Sequence, residues 1–369
     1  MGELQVPPTT TMTTDKLPVV ECTSPNPRVR GRAHGEALRA VISAKVERWH
    51  GAVETEYGRK PEVFLSEFLT KTHFRRTIEQ FTPHLLQEVI GIGEGADIDP
   101  DTAFALQLMD EEWWFGRLSR DGHCSGIAAS PSGGRPTVMG QTMDLPVWHD
   151  GAQAVLRLRD ADGCESLVFT SAGMIGLMGG NCRGLSVCVN TLIALQSSIH
   201  GLPVAFVVRM LLDQPSTREA VHSLNRVPHA SGQNYMVADA HTVRAFECSA
   251  AGVAEVEAIK GRILHTNHPL ASLDVRPFHV PTENSRARLG SIETDCPTSL
   301  SASAASLMTA LSGRRENAEV SITRPANASP TSVMTIGGIV YEISDSIRLW
   351  VSGGPPTQDS WREFDIRAN

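Results

Sequence analysis

Apolar positions change their spacing once along the chain. Up to about residue 120 they recur three and four apart, which predicts helices over 34–54, 61–81 and 83–94, and another over 101–114 opening at an acidic cap. From residue 122 onward, short runs rich in Val, Ile, Thr and Ser take over. They predict strands over 124–130, 137–144, 154–158, 166–171 and 185–193, separated by Gly, Asp and Pro. Helices are predicted again over 203–212 and 216–224, followed by strands over 235–238, 243–247, 253–259 and 263–266. Helices at 283–292 and 301–311 and strands at 332–341 and 347–352 complete the pattern. Blocks of strands alternating with pairs of helices predict a layered α+β fold in which helices cover two largely antiparallel sheets. No stretch inside the chain is composed like a linker, so residues 1–369 are expected to form one structural domain behind a Thr- and Pro-rich tail at 1–20.

Composition narrows the function classes. The chain has 33 Lys and Arg against 41 Asp and Glu, a formal net charge of −8, and no basic run, so no nucleic-acid partner is expected. No apolar run reaches the roughly 18 residues of a membrane span, because even 202–212 is interrupted by Pro203 and Arg209. The first twenty residues have neither a basic nor an apolar signal region, and cytoplasm is the expected compartment. Seven cysteines form no CxxC pair and no zinc spacing, so no metal or cofactor is expected and most thiols are expected to be core residues. The run Gly91-Ile-Gly93-Glu-Gly95-Ala96 mimics a dinucleotide fingerprint but follows a helix rather than a strand, and reads as a helix cap.

The thiol at the break in composition, in Asp121-Gly122-His123-Cys124-Ser125-Gly126, falls at the first residue of a predicted strand. On residue type alone, a buried packing cysteine is the commoner case. The surrounding text changes that weighting. Asp121-Gly-His-Cys124-Ser stands before a strand, and Gly140-Gln-Thr-Met-Asp144 comes one hairpin later. Gly180-Asn-x-x-Gly184-Leu185 leads to Asn190, and Asn234-Tyr-x-x-Ala-Asp239, His265-Thr-Asn267-His268 and Asn284-Ser-Arg-Ala-Arg288 follow. The terminal Leu349-Trp-Val-x-Gly-Gly-Pro-Pro356 completes the series. In order and spacing this text resembles the isopenicillin N acyltransferase family of N-terminal nucleophile hydrolases, relatives of the choloylglycine hydrolases and of insect β-alanyl-dopamine hydrolase. The resemblance runs from about Arg30 to Gly354.

The resemblance implies a four-layer αββα sandwich and scission of the chain between His123 and Cys124. The products are an α chain, whose helical part is 21–123, and a β chain, 124–369, which remain partners. Physical chemistry makes that maturation reasonable. A thiol near pKa 8.5 needs a base beside it, and a freed α-amine with a pKa of roughly 7.7–8.0 can serve. The resemblance further implies that Asp144 holds the amine and that Asn267 donates to the oxyanion, with Asn190 a second pocket candidate. His265 and His268 flank Asn267, and either Arg286 or Arg288 belongs to the polar network. Three departures stand out. Most relatives have Gly rather than His123 before the cysteine and Thr rather than Ser125 after it, and Thr142 stands where they often have Asn. Gln141 stands where choloylglycine hydrolases have Arg, which disfavours bile-salt hydrolysis.

The expected activity is hydrolysis of a small N-acyl or N-aminoacyl amide through a thioester on Cys124. The alternatives are acyl transfer from a thioester such as acyl-coenzyme A to an amine, and an uncleaved, non-catalytic binding protein. A small-molecule amide is the expected partner, and nothing in the sequence excludes a homo-oligomer.

Overall fold

Proline decides where several helices begin. In the computed structural model, which describes residues 17–116, 124–277, 283–297, 301–315 and 318–366, α1 (Pro27–Ala37), α3 (Pro61–Lys71), α5 (Pro83–Ala96) and α6 (Pro100–Ala105) all open on one. The fixed φ of proline suits that position and its missing N–H has no intrahelical acceptor there. Asn26 and Asp99 cap α1 and α6, each accepting two backbone N–H groups on its side chain. The long helices predicted over 34–54 and 61–81 are each split. Leu38 leaves helical geometry between α1 and α2 (Arg39–Tyr57), and Thr72 is extended between α3 and α4 (Phe74–Phe81). The segment ends with α7 (Met109–Phe115).

The Gly91–Ala96 run is not a helix cap. It lies inside α5, whose left-handed cap residue is Asp97, and it packs against α1. A Cβ at Gly91 would fall 2.1 Å from the Arg28 carbonyl oxygen, one at Gly95 2.2 Å from that of Arg32, and one at Gly31 1.9 Å from that of Glu88. The glycines let two helix backbones touch. A buried ion triad seals the same junction. Glu88 accepts from Arg30 Nε at 2.8 Å and from Arg209 Nη1 at 2.6 Å, joining α1 and α5 to α8 (Val204–Leu212).

β1 (Val19–Cys22) runs parallel to β4 (Gln153–Arg159). The tail expected over 1–20 therefore ends sooner, because Val20 and Cys22 are buried while Glu21 faces out, the alternation of a strand. β2 (Gly126–Ala129) and β3 (Thr137–Pro146) form the first hairpin. β5 (Glu165–Ser171), β6 (Met178–Asn181), β7 (Ser186–Thr191), β8 (Gln233–Ala238), β9 (Val243–Cys248) and β10 (Val253–Val256) extend the sheet of β4. Its order is β1-β4-β5-β6-β7-β8-β9-β10. The second sheet takes in β11 (Arg262–His265), and the two-residue β12 (Arg314–Arg315) and β13 (Ala318–Glu319) pair separately. With β14 (Val333–Ile343), β15 (Ile347–Ser352) and β16 (Arg362–Ile366), the second sheet has the order β11-β2-β3-β14-β15-β16. β6 and β16 lie outside the predicted strands, the first because its Met-Gly-Gly-Asn text reads as a turn.

The two sheets pack face to face, β3 against β7 and β8. Tyr341 on β14 donates across the gap to the Val187 carbonyl at 3.4 Å. α8 and α9 (Thr217–Arg226) lie against the first sheet, and α10 (Glu283–Asp295) and α11 (Ala304–Leu311) against the second. The result is the four-layer αββα sandwich that the sequence implies. α2 reaches the interior through Lys45, whose Nζ donates to Ala172 O at 2.9 Å.

One pair of cysteines departs from expectation. Cys164, before β5, is bonded to Cys182, after β6, while the other five are free and buried. Adjacent strands bring their Cα atoms to 5.5 Å, a relation that a separation of 18 residues does not announce. Such a bond is commoner in oxidising than in reducing surroundings.

Candidate functional site

Cys124 ends the segment just ahead of β2, and β3 returns beside it. The β2–β3 register pairs Gly126 with Gln141, so Cys124 comes opposite the Met143–Asp144 step. Asp144 N–H points at the sulfur at 3.4 Å. The thiol is nearly fully buried, at 4% exposure, and burial, reinforced by the nearby Asp144 charge, pushes its pKa up to about 12. In this setting the sulfur keeps its proton unless a base is supplied. His123, the other half of the expected scission site, lies outside the described residues.

Asp144 is itself buried. Its Oδ1 accepts from Thr335 Oγ1 at 2.6 Å, made possible because β14 pairs Thr335 directly with Asp144, whereas its Oδ2 has no partner among the described residues. Burial raises the carboxyl to about 7, against the lowering effects of the Thr335 hydroxyl and Arg288. The sign of the pH effect follows. In the unfolded chain the carboxyl loses its proton near 3.8, but in the folded chain only near 7, so between these values the folded state binds more protons. Its contribution to stability is complete below about 4 and is lost as pH rises through 7. In a Cys124→Ala background, Asp144→Asn is therefore expected to gain in Tm relative to its parent between pH 5 and pH 8. A difference in Tm that does not change with pH contradicts this reading.

Arg288, fully buried on α10, links the elements. Its Nη1 donates to Cys124 O at 2.7 Å and to Ser125 Oγ at 2.9 Å, Nη2 to Asn267 Oδ1 at 3.0 Å, and Nε to Asn284 Oδ1 at 2.7 Å. Arg286, two positions earlier, is exposed, so of the two arginines Arg288 is the one brought to Cys124. A guanidinium only donates, so the atom of Asn267 facing it must be the oxygen, and the amide NH₂ then points to the other side. There Asn267 Nδ2 donates to Thr191 O at 2.9 Å, and Thr191 lines the same cavity as Cys124. Ser285 Oγ accepts from the Asn267 backbone N–H at 2.9 Å and fixes the turn.

Other expected members of the site stand behind it. Asn190 donates to Thr266 O at 2.5 Å and to His265 Nδ1 at 3.1 Å, and accepts from Asn234. Its amide thus buttresses the strand end before Asn267, and neither asparagine lines the cavity itself, which Asn267 reaches through Thr191. His265 Nε2 meets Glu247 at 2.9 Å, and Glu247 also accepts the N–H groups of Leu270, Ala271 and Ser272. Burial alone would raise the Glu247 carboxyl, but His265 and these N–H groups outweigh it and hold it below the usual range. His268 contacts Ser285 Oγ at 2.8 Å. Thr142 Oγ1 accepts from Ser125 N at 3.1 Å, and Gln141 donates to Val189 O across the sheets.

The cavity at Cys124 is about 30 Å³, room for one or two waters. Met109, Trp113, Met143, Leu145, Leu177, Val189, Val204, Val208 and Val333 make it mostly apolar, and Asp110, Asp144, Thr191 and Gln233 add polar groups. Thr335 and Thr191 were invisible as site residues in the sequence, because strand pairing brings them in from distant positions. The Asp110-Glu-Glu112 run beside Trp113 and Trp114, by contrast, reads as a helix end packing its indoles inward with a substrate-facing role as the alternative, and the approach of α7 brings Asp110 to the cavity.

A family model for acyl-coenzyme A:6-aminopenicillanic acid acyl-transferase matches residues 133–356, beginning just beyond Cys124. The 40 kDa form of acyl-coenzyme A:6-aminopenicillanic-acid-acyltransferase from Emericella nidulans is 26% identical over 242 residues, 65% of this chain and 66% of that protein. The chain thus spans slightly less than two thirds of that relative's length. Among solved structures, a conjugated bile acid hydrolase variant from Clostridium perfringens matches with a TM-score of 0.45 at 13% identity, covering 66% of this chain and 92% of that one. The Caenorhabditis elegans ortholog of N-acylethanolamine-hydrolyzing acid amidase gives 0.42 at 16% identity, covering 59% and 92%. With the family match extending over more than half of its length, the chain belongs to the acyl-coenzyme A:6-aminopenicillanic acid acyltransferase family.

Proposed function

We propose that the protein is an N-terminal-cysteine amidohydrolase that matures by cutting its own chain before Cys124. The carrying observation is the pairing, in one apolar cavity, of a protonated buried thiol with a buried carboxylate whose Oδ2 has no partner among the described residues. A cation at that oxygen would relieve the cost of burying Asp144. The α-amine freed at Cys124 is such a cation when protonated and the required base when neutral.

In maturation, Cys124 Sγ adds to the His123 carbonyl carbon and the peptide nitrogen leaves with a proton as the new α-amine. Water then hydrolyses the thioester, leaving a carboxylate on residue 123. In turnover, the α-amine takes the thiol proton as sulfur attacks the substrate carbonyl. Asn267 Nδ2 donates to the oxyanion, and the proton passes to the departing amine. Water, deprotonated by the same amine, releases the acid. Arg288 orients Asn267 and fixes the Cys124 carbonyl. The apolar lining supports a small acyl group as the buried half of the substrate.

Acyl transfer is the second reading, favoured by the reaction named in the family's description. The test is to acylate the purified protein with N-acyl anilides, weigh the fragment that begins at Cys124, and identify the products with and without millimolar primary amine. A hydroxylamine-labile adduct on Cys124 and release of the free acid in both conditions are expected. A new amide as the main product would establish transfer instead, and an adduct on any other residue would overturn the proposal.

A further inference from the structure

The cavity at Cys124 contains a second carboxylate that the proposed mechanism does not use. Asp110, in the first turn of α7, is half-buried on the cavity wall. Thr191 Oγ1 donates to its Oδ1 at 2.6 Å and Gln233 Nε2 to the same oxygen at 2.9 Å. Both donors are neutral. Among the described residues lining the cavity there is no Lys, Arg or His to balance Asp110 and Asp144. Arg288 is committed to Cys124 O, Ser125, Asn267 and Asn284. The α-amine of Cys124 would answer Asp144, leaving Asp110 without a counter-charge among the described residues that line the cavity.

Its position relative to the reacting atoms is set by Thr191. That residue gives its hydroxyl to Asp110 and its carbonyl to the Asn267 amide, so Asp110 stands one residue's width from the candidate oxyanion donor. Its charge also reaches the Cys124 sulfur, where it raises the thiol pKa. Behind it, Glu111 is buried with Oε1 held by Ser231 Oγ at 2.7 Å and by Val204 N–H, so the neighbouring carboxyl turns to the interior and not to the cavity. A half-desolvated carboxylate on an apolar wall is costly unless a cation arrives with the ligand.

We infer that Asp110 selects substrates whose acyl group bears an ammonium within two or three bonds of the scissile carbonyl. This rests on the proposed role of Cys124 and assigns to Asp110 the choice between the two acyl classes, N-acyl and N-aminoacyl, that the sequence leaves open. Asp110 is a specificity-determining residue, since it meets the substrate away from the atoms that react. The ammonium would donate to Asp110 while the methylene groups between it and the carbonyl lie against Met109, Trp113 and Met143.

Matched anilides that differ only in an ammonium exchanged for a methyl group provide the test: glycyl against propanoyl, and β-alanyl against butanoyl. The readout is the ratio of kcat/KM within each pair, with the mass of the Cys124 fragment as proof of acylation. The native enzyme is expected to favour an aminoacyl member by at least about tenfold, and Asp110→Asn to lose that factor, in keeping with removal of one partner of a desolvated charge pair. Asp110→Glu, which keeps the charge, is expected to retain most of the preference, and release of the Cys124 terminus shows that each variant has folded. Equal use of both members by the native enzyme overturns the inference while leaving the Cys124 chemistry intact. So does a preference that survives Asp110→Asn, or one that follows an ammonium placed on the amine half. Failure of every anilide to acylate Cys124 overturns the amidase reading and the inference together.

Discussion

Replacing Cys124 by alanine is expected to abolish amide turnover, by at least about 10⁴-fold, and to leave the chain at its full 39.9 kDa. Both effects have one cause, since the same sulfur is the proposed attacking atom in maturation and in turnover. Among the described residues lining the cavity no other thiol is present, as Cys22, Cys188, Cys248 and Cys296 lie elsewhere in the interior. The substitution removes one atom from a buried position and disturbs neither the Arg288 hydrogen bond to the residue 124 carbonyl nor the β2–β3 pairing, both of which use backbone. Folding should therefore survive, and a circular dichroism melt within a few degrees of the native protein checks this. Activity within tenfold of native would remove Cys124 from the mechanism.

Asn267→Ala is expected to lower kcat by about 10²–10³-fold with a much smaller change in KM, the signature of a donor whose bond tightens as charge develops on oxygen. The turn should remain in place, because Ser285 holds it through the Asn267 backbone N–H and not through the amide. The substitution also removes the Asn267 acceptor of Arg288 Nη2, but the hydrogen bonds of that guanidinium to Cys124, Ser125 and Asn284 remain and keep it oriented. A rise in KM with kcat unchanged, in steady-state kinetics on the best anilide, would assign Asn267 to ground-state binding instead.

The layered fold was legible because its strands and helices differ in period, and because the apolar face of each is continuous. Where the sequence misled, the cause was tertiary. Gly91 and Gly95 are spaced like a phosphate-binding turn, yet they serve the contact of α5 with α1, which only the partner helix reveals. Met178–Asn181 reads as a turn because Gly179 and Gly180 weaken strand propensity, and pairing with β5 and β7 overrides that. Within the site, the family resemblance singled out Cys124 and Asp144, and the hairpin that joins them explains why they meet. Asn267 and the Arg286 or Arg288 alternative came from family resemblance, and burial then separated the two arginines. Thr335 had no local signal, since its significance lies in a strand register, whereas Asp110 stands in an acidic run beside Trp113 and Trp114 whose alternative reading is a substrate-facing one.

The most direct test of the account is intact mass and N-terminal sequencing of the purified native protein beside Cys124→Ala. The account predicts two native fragments, 1–123 and 124–369, about one third and two thirds of 39.9 kDa, the larger beginning with Cys124, and a single unbroken Cys124→Ala chain. An unbroken native chain that still turns over amides, or scission that persists without the thiol, would contradict it.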